Sequence, residues 1–312
     1  MHVTVAICTW NRARLLDKTL ARMCQLSVPA DVSWELLVVD NNSTDNTQGV
    51  LKAFQHQLPL RVLVERQQGL SKARNCAISA TRGDLLVWTD DDVLVDPGWL
   101  AAYVKAAVAF PEASIFGGEI EPWFEEDPPA WLKNHAYQVG GVYAIRHASD
   151  YGTLITSNNY PFGANMAFRA GAQKEFLYNP NLGRCGLGMK SGDETDVIRR
   201  MLRRGHSGVW VPDACVKHYI IPERMRPKYV YGFARGLSEG NAVAIEQGDG
   251  TYPFPRWAVR RWLESTAIRL LHSPVKNQAW IRALQNAAAA HGVLSAWHLS
   301  RRSGGKASRL TE

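Results

Sequence analysis

In the first ninety residues, short apolar runs alternate with segments whose apolar residues recur at helical spacing. The runs are HVTVAICT (2–9), WELLVVD (34–40), LRVLVER (60–66) and DLLVWT (84–89). Between them lie RARLLDKTLARMCQL, TQGVLKAFQHQ and GLSKARNCAISA. No other feature limits the fold so strongly, because strands alternating with helices form a parallel sheet with helices on both faces. The runs are nearly continuous in apolar residues, as strands buried on both faces are. The expected class is α/β, with a doubly wound, mostly parallel central sheet.

Polar residues cluster just beyond the strand ends. Thr9, Asn11 and Arg12 follow the first run, Asp40 to Asp45 the second, and Asp90, Asp91 and Asp92 the fourth. Open α/β sheets bind ligands at that edge. Three adjacent carboxylates repel one another by about 1 kcal/mol per pair in water and about 4 kcal/mol at the effective dielectric of a protein surface. A divalent cation between them removes that repulsion. Mg²⁺ and Mn²⁺ take oxygen ligands and leave positions open for substrate phosphates, so the cluster is expected to hold a metal and a phosphorylated ligand. The competing reading is a solvated turn leading into the helix GWLAAYVKAAVAF.

Other candidates carry similar pairs of readings. Asp40 can bond a base or ribose, or close the NNSTD turn. Ser71, Arg74 and Asn75 fall in the first turns of a helix whose N-terminus suits phosphate. Asp193, Glu194 and Asp196 open the segment DETDVIRRMLRRG; they compensate the helix dipole, or one of them serves as a general base toward an acceptor hydroxyl. His218 is a structural histidine or a nitrogen ligand, better suited to Mn²⁺ than to Mg²⁺. Trp123, Trp131, Tyr137 and Tyr160 are sugar-stacking candidates or aromatic core.

The middle of the chain is less regular. Residues 117–141 read as a long loop with one helical turn, 158–170 as a turn into a short strand, and 206–220 as two short strands. From Arg224 onward the pattern is helical. Residues 256–312 hold 10 Lys/Arg and 2 Asp/Glu, a net +8 against +7 for the whole chain. Within them, PRWAVRRWLESTAIRLLH spaces Val259, Trp262, Leu263 and Leu270 along one helix, with Arg256, Arg260, Arg261 and Arg269 between. A basic helix with tryptophan is expected to bind an anionic membrane surface, or else to pack on the rest of the chain. No apolar run of about 20 residues predicts a membrane-spanning helix. The N-terminus lacks the pattern of a signal peptide. The five cysteines, Cys8, Cys24, Cys76, Cys185 and Cys215, form no C-x-x-C spacing and fit free thiols. A cytoplasmic location is expected, including a peripheral place on the inner face of the membrane.

Taken in order, VAICTWNR (5–12), LLVVDNNSTD (36–45), GLSKARN (69–75), GDLLVWTDDDV (83–93), GANMAFRA (163–170), GDETDVIRRMLRRG (192–205) and His218 resemble the family 2 glycosyltransferases of the GT-A fold. The resemblance implies a catalytic domain over 1–220, with a nucleotide-sugar half (1–105) and a smaller acceptor half (106–220), followed by a basic helical extension (221–312). It implies that Asp40 contacts the base and that Thr9 and Arg74 line the nucleotide pocket, beside Asn11, Arg12 and Asp91. Asp90-x-Asp92 falls on the D-x-D motif, with Asp92 as direct metal ligand and Asp90 near the ribose. The family base aligns with Glu194. Many relatives have Glu-Asp where this chain has Asp193-Glu194, so Asp193 is the alternative. The expected reaction is inverting, metal-dependent transfer from a nucleotide sugar, UDP-linked, to a carbohydrate or lipid-linked acceptor. Nucleic acid is not an expected partner. A nucleotidyltransferase would carry a glycine- and basic-rich loop after the first strand, and CTWNRARLL has no glycine. A non-catalytic nucleotide-sugar binder is the other alternative, although every acid a catalyst needs is present.

Overall fold

A computed structural model describes residues 1–184, 192–246 and 254–307. The first part of the chain forms β1 (His2–Thr9), α1 (Ala13–Met23), β2 (Ser33–Asp40), α2 (Thr47–Phe54), β3 (Leu60–Val64), α3 (Leu70–Ala80), β4 (Leu85–Asp90), β5 (Val93–Val95) and α4 (Trp99–Ala109). There follow β6 (Ala113–Phe124), α5 (Ala130–Lys133), α6 (Gly140–Tyr143), β7 (Asn165–Arg169), α7 (Ala170–Lys174), α8 (Asp193–Arg203) and β8 (Ser207–Ile220). Three longer helices end the described chain: α9 (Pro227–Glu246), α10 (Arg256–Leu271) and α11 (Gln278–Ala307).

The strands form one mixed sheet in the order β3-β2-β1-β4-β7-β6-β8-β5. Ladders β3-β2-β1-β4 are parallel; β7 is antiparallel to β4 and to β6, and β5 to β8. Side chains alternate between the faces of a strand, and here both faces are covered. Val3, Val5, Ile7, Leu36, Val38, Leu85 and Val87 enter one core, whereas Ala6, Leu37, Val39, Leu86 and Trp88 enter the other. Helix α1 covers the first core with Leu16, Leu20 and Met23 at i, i+4 and i+7. Helices α3 and α8 cover the second, with Ala73, Ala77 and Ile78 and with Val197, Ile198 and Met201.

Two expectations for the middle are corrected. Residues 117–124 are not loop but the last eight residues of the twelve-residue β6. Gly117 and Gly118 are both there for close approach. A Cβ on Gly118 would overlap Ala214 O and the Asn165 amide, and one on Gly117 would lie 2.9 Å from the Trp210 ring. Residues 207–220 are one fourteen-residue strand, continuous through Pro212. The three-residue β5 lies inside the segment whose competing reading is a solvated turn, where its partner β8 supplies the pairing.

The described chain divides into two compact units. One holds residues 1–123, 143–184 and 192–219, and so most of the sheet; the other holds 124–142, 220–246 and 254–307. The second unit is built on α11, which packs on α9 and α10 and buries Trp280, Ile281 and Leu284 with a series of alanines. Trp131 is core here: it is buried with its ring 5.9 Å from that of Trp280, which removes it from the sugar-stacking candidates. Helix α10 turns the small residues Ala258 and Ser265 inward. Leu263 and Leu270 are exposed alongside Arg256, Arg260 and Arg261, so the expected separation of apolar and basic faces does not occur. No described helix is long and apolar enough to cross a membrane. Cys8, Cys24, Cys76 and Cys215 are free thiols, and Cys185 lies outside the described residues.

Candidate active site

The register of the parallel ladder builds the site. Cys8 is level with Asp90, so Thr9 and Asp91 leave the sheet side by side. Asp91 is buried, with Oδ2 accepting from Thr9 Oγ1 at 2.8 Å and its carbonyl from Thr19 Oγ1 at 2.9 Å. A single Arg12 nitrogen, Nη1, donates to Asp91 Oδ1 at 2.9 Å and to Asp92 Oδ2 at 2.8 Å. Asp91 and Asp92 are thus not a solvated turn, and a built-in guanidinium offsets much of their repulsion. Burial still outweighs Arg12 at Asp91, whose carboxyl is pushed up to about 6.

The β5–β8 pairing delivers a histidine to this cluster. Val93 is level with His218, and Tyr219 N donates to the Asp92 carbonyl at 2.9 Å. His218 Nε2 then lies 3.3 Å from Asp92 Oδ1. Asp90, Asp92 and His218 each offer a ligand atom, all within 4.8 Å of one another. His218 Nδ1 is buried without a hydrogen-bond partner. Two carboxylates and an imidazole at this spacing fit a divalent cation that accepts oxygen and nitrogen.

Across the site, Arg74 of α3 is buried among acids. It donates to Asp193 Oδ2 at 2.6 Å, lies 3.5 Å from Glu194 Oε2, and reaches 4.0 Å from Asp90 Oδ1. Its guanidinium sits 5.1 Å from the ring centre of Tyr178 and 6.0 Å from that of Trp88. Gly163 makes this possible, because a Cβ there would overlap Arg74 Nη2. One guanidinium therefore links the strand-end carboxylate of Asp90 to the two acids opening α8. Those acids diverge. Burial alone would raise Asp193, but Arg74 holds it below the usual carboxylate range. Burial and then the Asp193 charge push Glu194 up to about 8, against the pull of Arg74. Asp196 instead pairs with Arg200 one helical turn on, at 2.9 Å.

The remaining predicted residues hold loops together. Asp40 accepts from Ser43 N at 2.9 Å and from Gln48 Nε2 at 2.5 Å. Asn11 Oδ1 accepts from Thr44 N at 2.7 Å, and Asp45 accepts from Ala13 N at 2.9 Å, so the loops after β1 and β2 are tied together. At the start of α3, Leu70 N bonds Arg184 O, Ser71 Oγ bonds Leu182 O, and Asn75 pairs with the Tyr178 backbone. Chain carbonyls thus occupy donors at the helix start where phosphate was expected. Trp123 packs on Tyr219 at 4.6 Å, and Tyr160 accepts from Thr195, beside Glu194, at 3.3 Å. Tyr137 is exposed.

Sequence reasoning missed three contributors. Asn41 donates to Glu65 O and Gln67 O and accepts from Gly69 N, fixing the approach to α3. Asn165 accepts from Trp99 and Tyr103 and donates to Glu119 O and Ala214 O. Tyr178 lies against Arg74. A buried-strand terminus followed by Asn was a usable signal for Asn41; nothing local marks Tyr178.

A family model described as glycosyl transferase family 2 matches residues 4–176. The chain is 24% identical to the succinoglycan biosynthesis protein ExoM of Rhizobium meliloti over 225 residues, 72% of this chain and 68% of that protein. It spans only 27–35% of the length of three further curated relatives. Among solved structures it resembles the mannosyltransferase PcManGT from Pyrobaculum calidifontis, in complex with GDP-Man and Mn²⁺. The TM-score is 0.55 at 22% identity, covering 99% of this chain and 81% of that one. It also resembles S. aureus TarS 1–349 in complex with UDP-GlcNAc, with TM-score 0.55 at 15% identity, covering 97% and 92%. At these identities the likeness to solved structures shows the fold.

Proposed function

Because the chain belongs to glycosyl transferase family 2, we propose that it moves a sugar from a UDP-sugar to an acceptor hydroxyl, with inversion and with a divalent cation. The observation that carries this reading is the placement of Arg74, which spans from the Asp90 carboxylate to the Asp193–Glu194 pair. It puts a group able to receive a diphosphate and a group able to receive a proton on either side of one buried charge.

Asp90, Asp92 and His218 would hold the cation, Mn²⁺ in preference to Mg²⁺ on account of the histidine. The bound ion supplies charge stabilisation to the departing diphosphate. Arg12 orients Asp92 and neutralises Asp91. Thr9, Asn11, Asp40 and Asp91 form the nucleotide side, with Asp40 toward the base. Arg74 adds a second positive charge where the diphosphate gathers negative charge. Glu194, once ionised, accepts the acceptor hydroxyl proton as oxygen attacks the anomeric carbon from the face opposite the diphosphate; Asp193 is the alternative base. The acceptor is a carbohydrate or lipid-linked hydroxyl met at the inner face of a membrane, a reading supported by the net +8 of residues 256–312.

Three measurements test this. Asp92→Ala should abolish transfer while leaving the circular dichroism spectrum unchanged, and EDTA should do the same reversibly. Full activity in EDTA would remove the metal from the mechanism. The anomeric configuration of the product, read by NMR, should be opposite to that of the donor.

A further inference from the structure

Helix α10 is built the wrong way round for a helix whose only neighbours are the protein and water. Its inward side carries Ala258 and Ser265. Its large apolar residues point outward: Trp257 is 52% exposed, Leu263 56%, Leu270 72% and Leu271 79%, and Val275 in the following turn is 74% exposed. Large apolar side chains gathered on one exposed side of a helix mark a site that something covers. Arg256, Arg260 and Arg261 share the outward side, with Glu264, bonded to Arg260 at 2.7 Å, the one acid of the helix.

This mixture selects the occupant. A second copy packed symmetrically would set this patch against itself, bringing the three arginines of each helix toward those of the other. A protein with an acidic groove would answer the arginines but not the protruding Leu270, Leu271 and Val275 at the helix end. An anionic bilayer answers both, because apolar side chains enter the acyl boundary while guanidinium groups stay at headgroup level.

We infer that the outward side of α10, with the turn reaching Val275, seats this unit on an anionic lipid surface. The inference rests on the membrane location proposed above and specifies its surface and lipid charge. It does not depend on where the catalytic unit stands.

The test is flotation of the full chain with vesicles of phosphatidylcholine alone, or with part of it replaced by phosphatidylglycerol. The wild type should float with the anionic vesicles only, and added salt should release it. Each basic residue is worth about a fivefold change in partition. Arg256→Gln, Arg260→Gln and Arg261→Gln together should therefore lower it about a hundredfold. Leu270→Glu with Leu271→Glu should abolish it. These side chains are exposed, so unchanged melting temperatures would show that the variants fold. If the wild type floats and both variants float equally well, the membrane location stands and this surface is wrong. Equal flotation with neutral vesicles overturns the lipid charge. If the wild type does not float at all, the membrane location falls as well. A dimer dispersed by Leu270→Glu with Leu271→Glu, without flotation, gives the face to a second copy and overturns the inference.

Discussion

Two arginines use the same chemistry for different ends. Arg12 holds two carboxylates that the sheet has already forced together, whereas Arg74 sets apart the charges of two acids that are neighbours in sequence. Asp193 takes the short bond and is held ionised; Glu194 takes the longer contact and rises to about 8. If Glu194 is the base proposed above, it must lose its proton before it can accept another. The value of kcat/KM should therefore climb with pH through a limb near 8, and Glu194→Gln should erase the limb and lower kcat by about 10²–10⁴. Stability should run the other way. A carboxyl raised above its ordinary 4.5 contributes stability below that value, which is lost as pH rises towards 8. Glu194→Gln should thus melt higher than the wild type above pH 8, so a plot of melting temperature against pH checks the assignment independently of turnover. If only Asp193→Asn removes the limb, Asp193 is the base. The acids themselves were legible in the sequence, being a charged run at a helix start. Their division of labour was not, because it depends on Arg74, more than a hundred residues away, and on the glycine that admits it.

At the scale of elements, legibility followed burial. Strands β1, β2 and β4 are covered on both faces, so their apolar residues run together and stand out against the helices; the edge strand β3 is only half-buried. Strands β6 and β8 carry Gly117, Gly118 and Pro212, which look like breaks, and β5 is too short to show any period. What joins this half of the sheet is Asn165, whose amide links β7 to the backbones of β6 and β8 and to two aromatic side chains of α4. Gly118 is the space in which that amide sits. Gly118→Ala should destabilise the protein by about 1–3 kcal/mol through overpacking, measured by urea unfolding. An unchanged midpoint would mean the junction yields. His218 reaches the metal group through β8, so the same variant should also weaken Mn²⁺ binding.

For the whole molecule, the expected signature is a ligand-dependent melting temperature. A ligand at 100 times its dissociation constant adds about 2.7 kcal/mol. UDP-sugars should raise the melting temperature when Mn²⁺ is present and fail to do so in EDTA. A GDP-sugar that stabilises where UDP-sugars do not would change the donor while leaving the fold argument intact. One feature sets how that donor is received. The loops after β1 and β2 are already fastened to each other through Asn11 and Asp45, and Asn41 fastens the approach to α3. A nucleotide arriving there meets a mould that has set before it is filled. Little backbone freedom remains to be frozen on that side, so a nucleotide bound there as proposed should be held strongly for the number of contacts it makes.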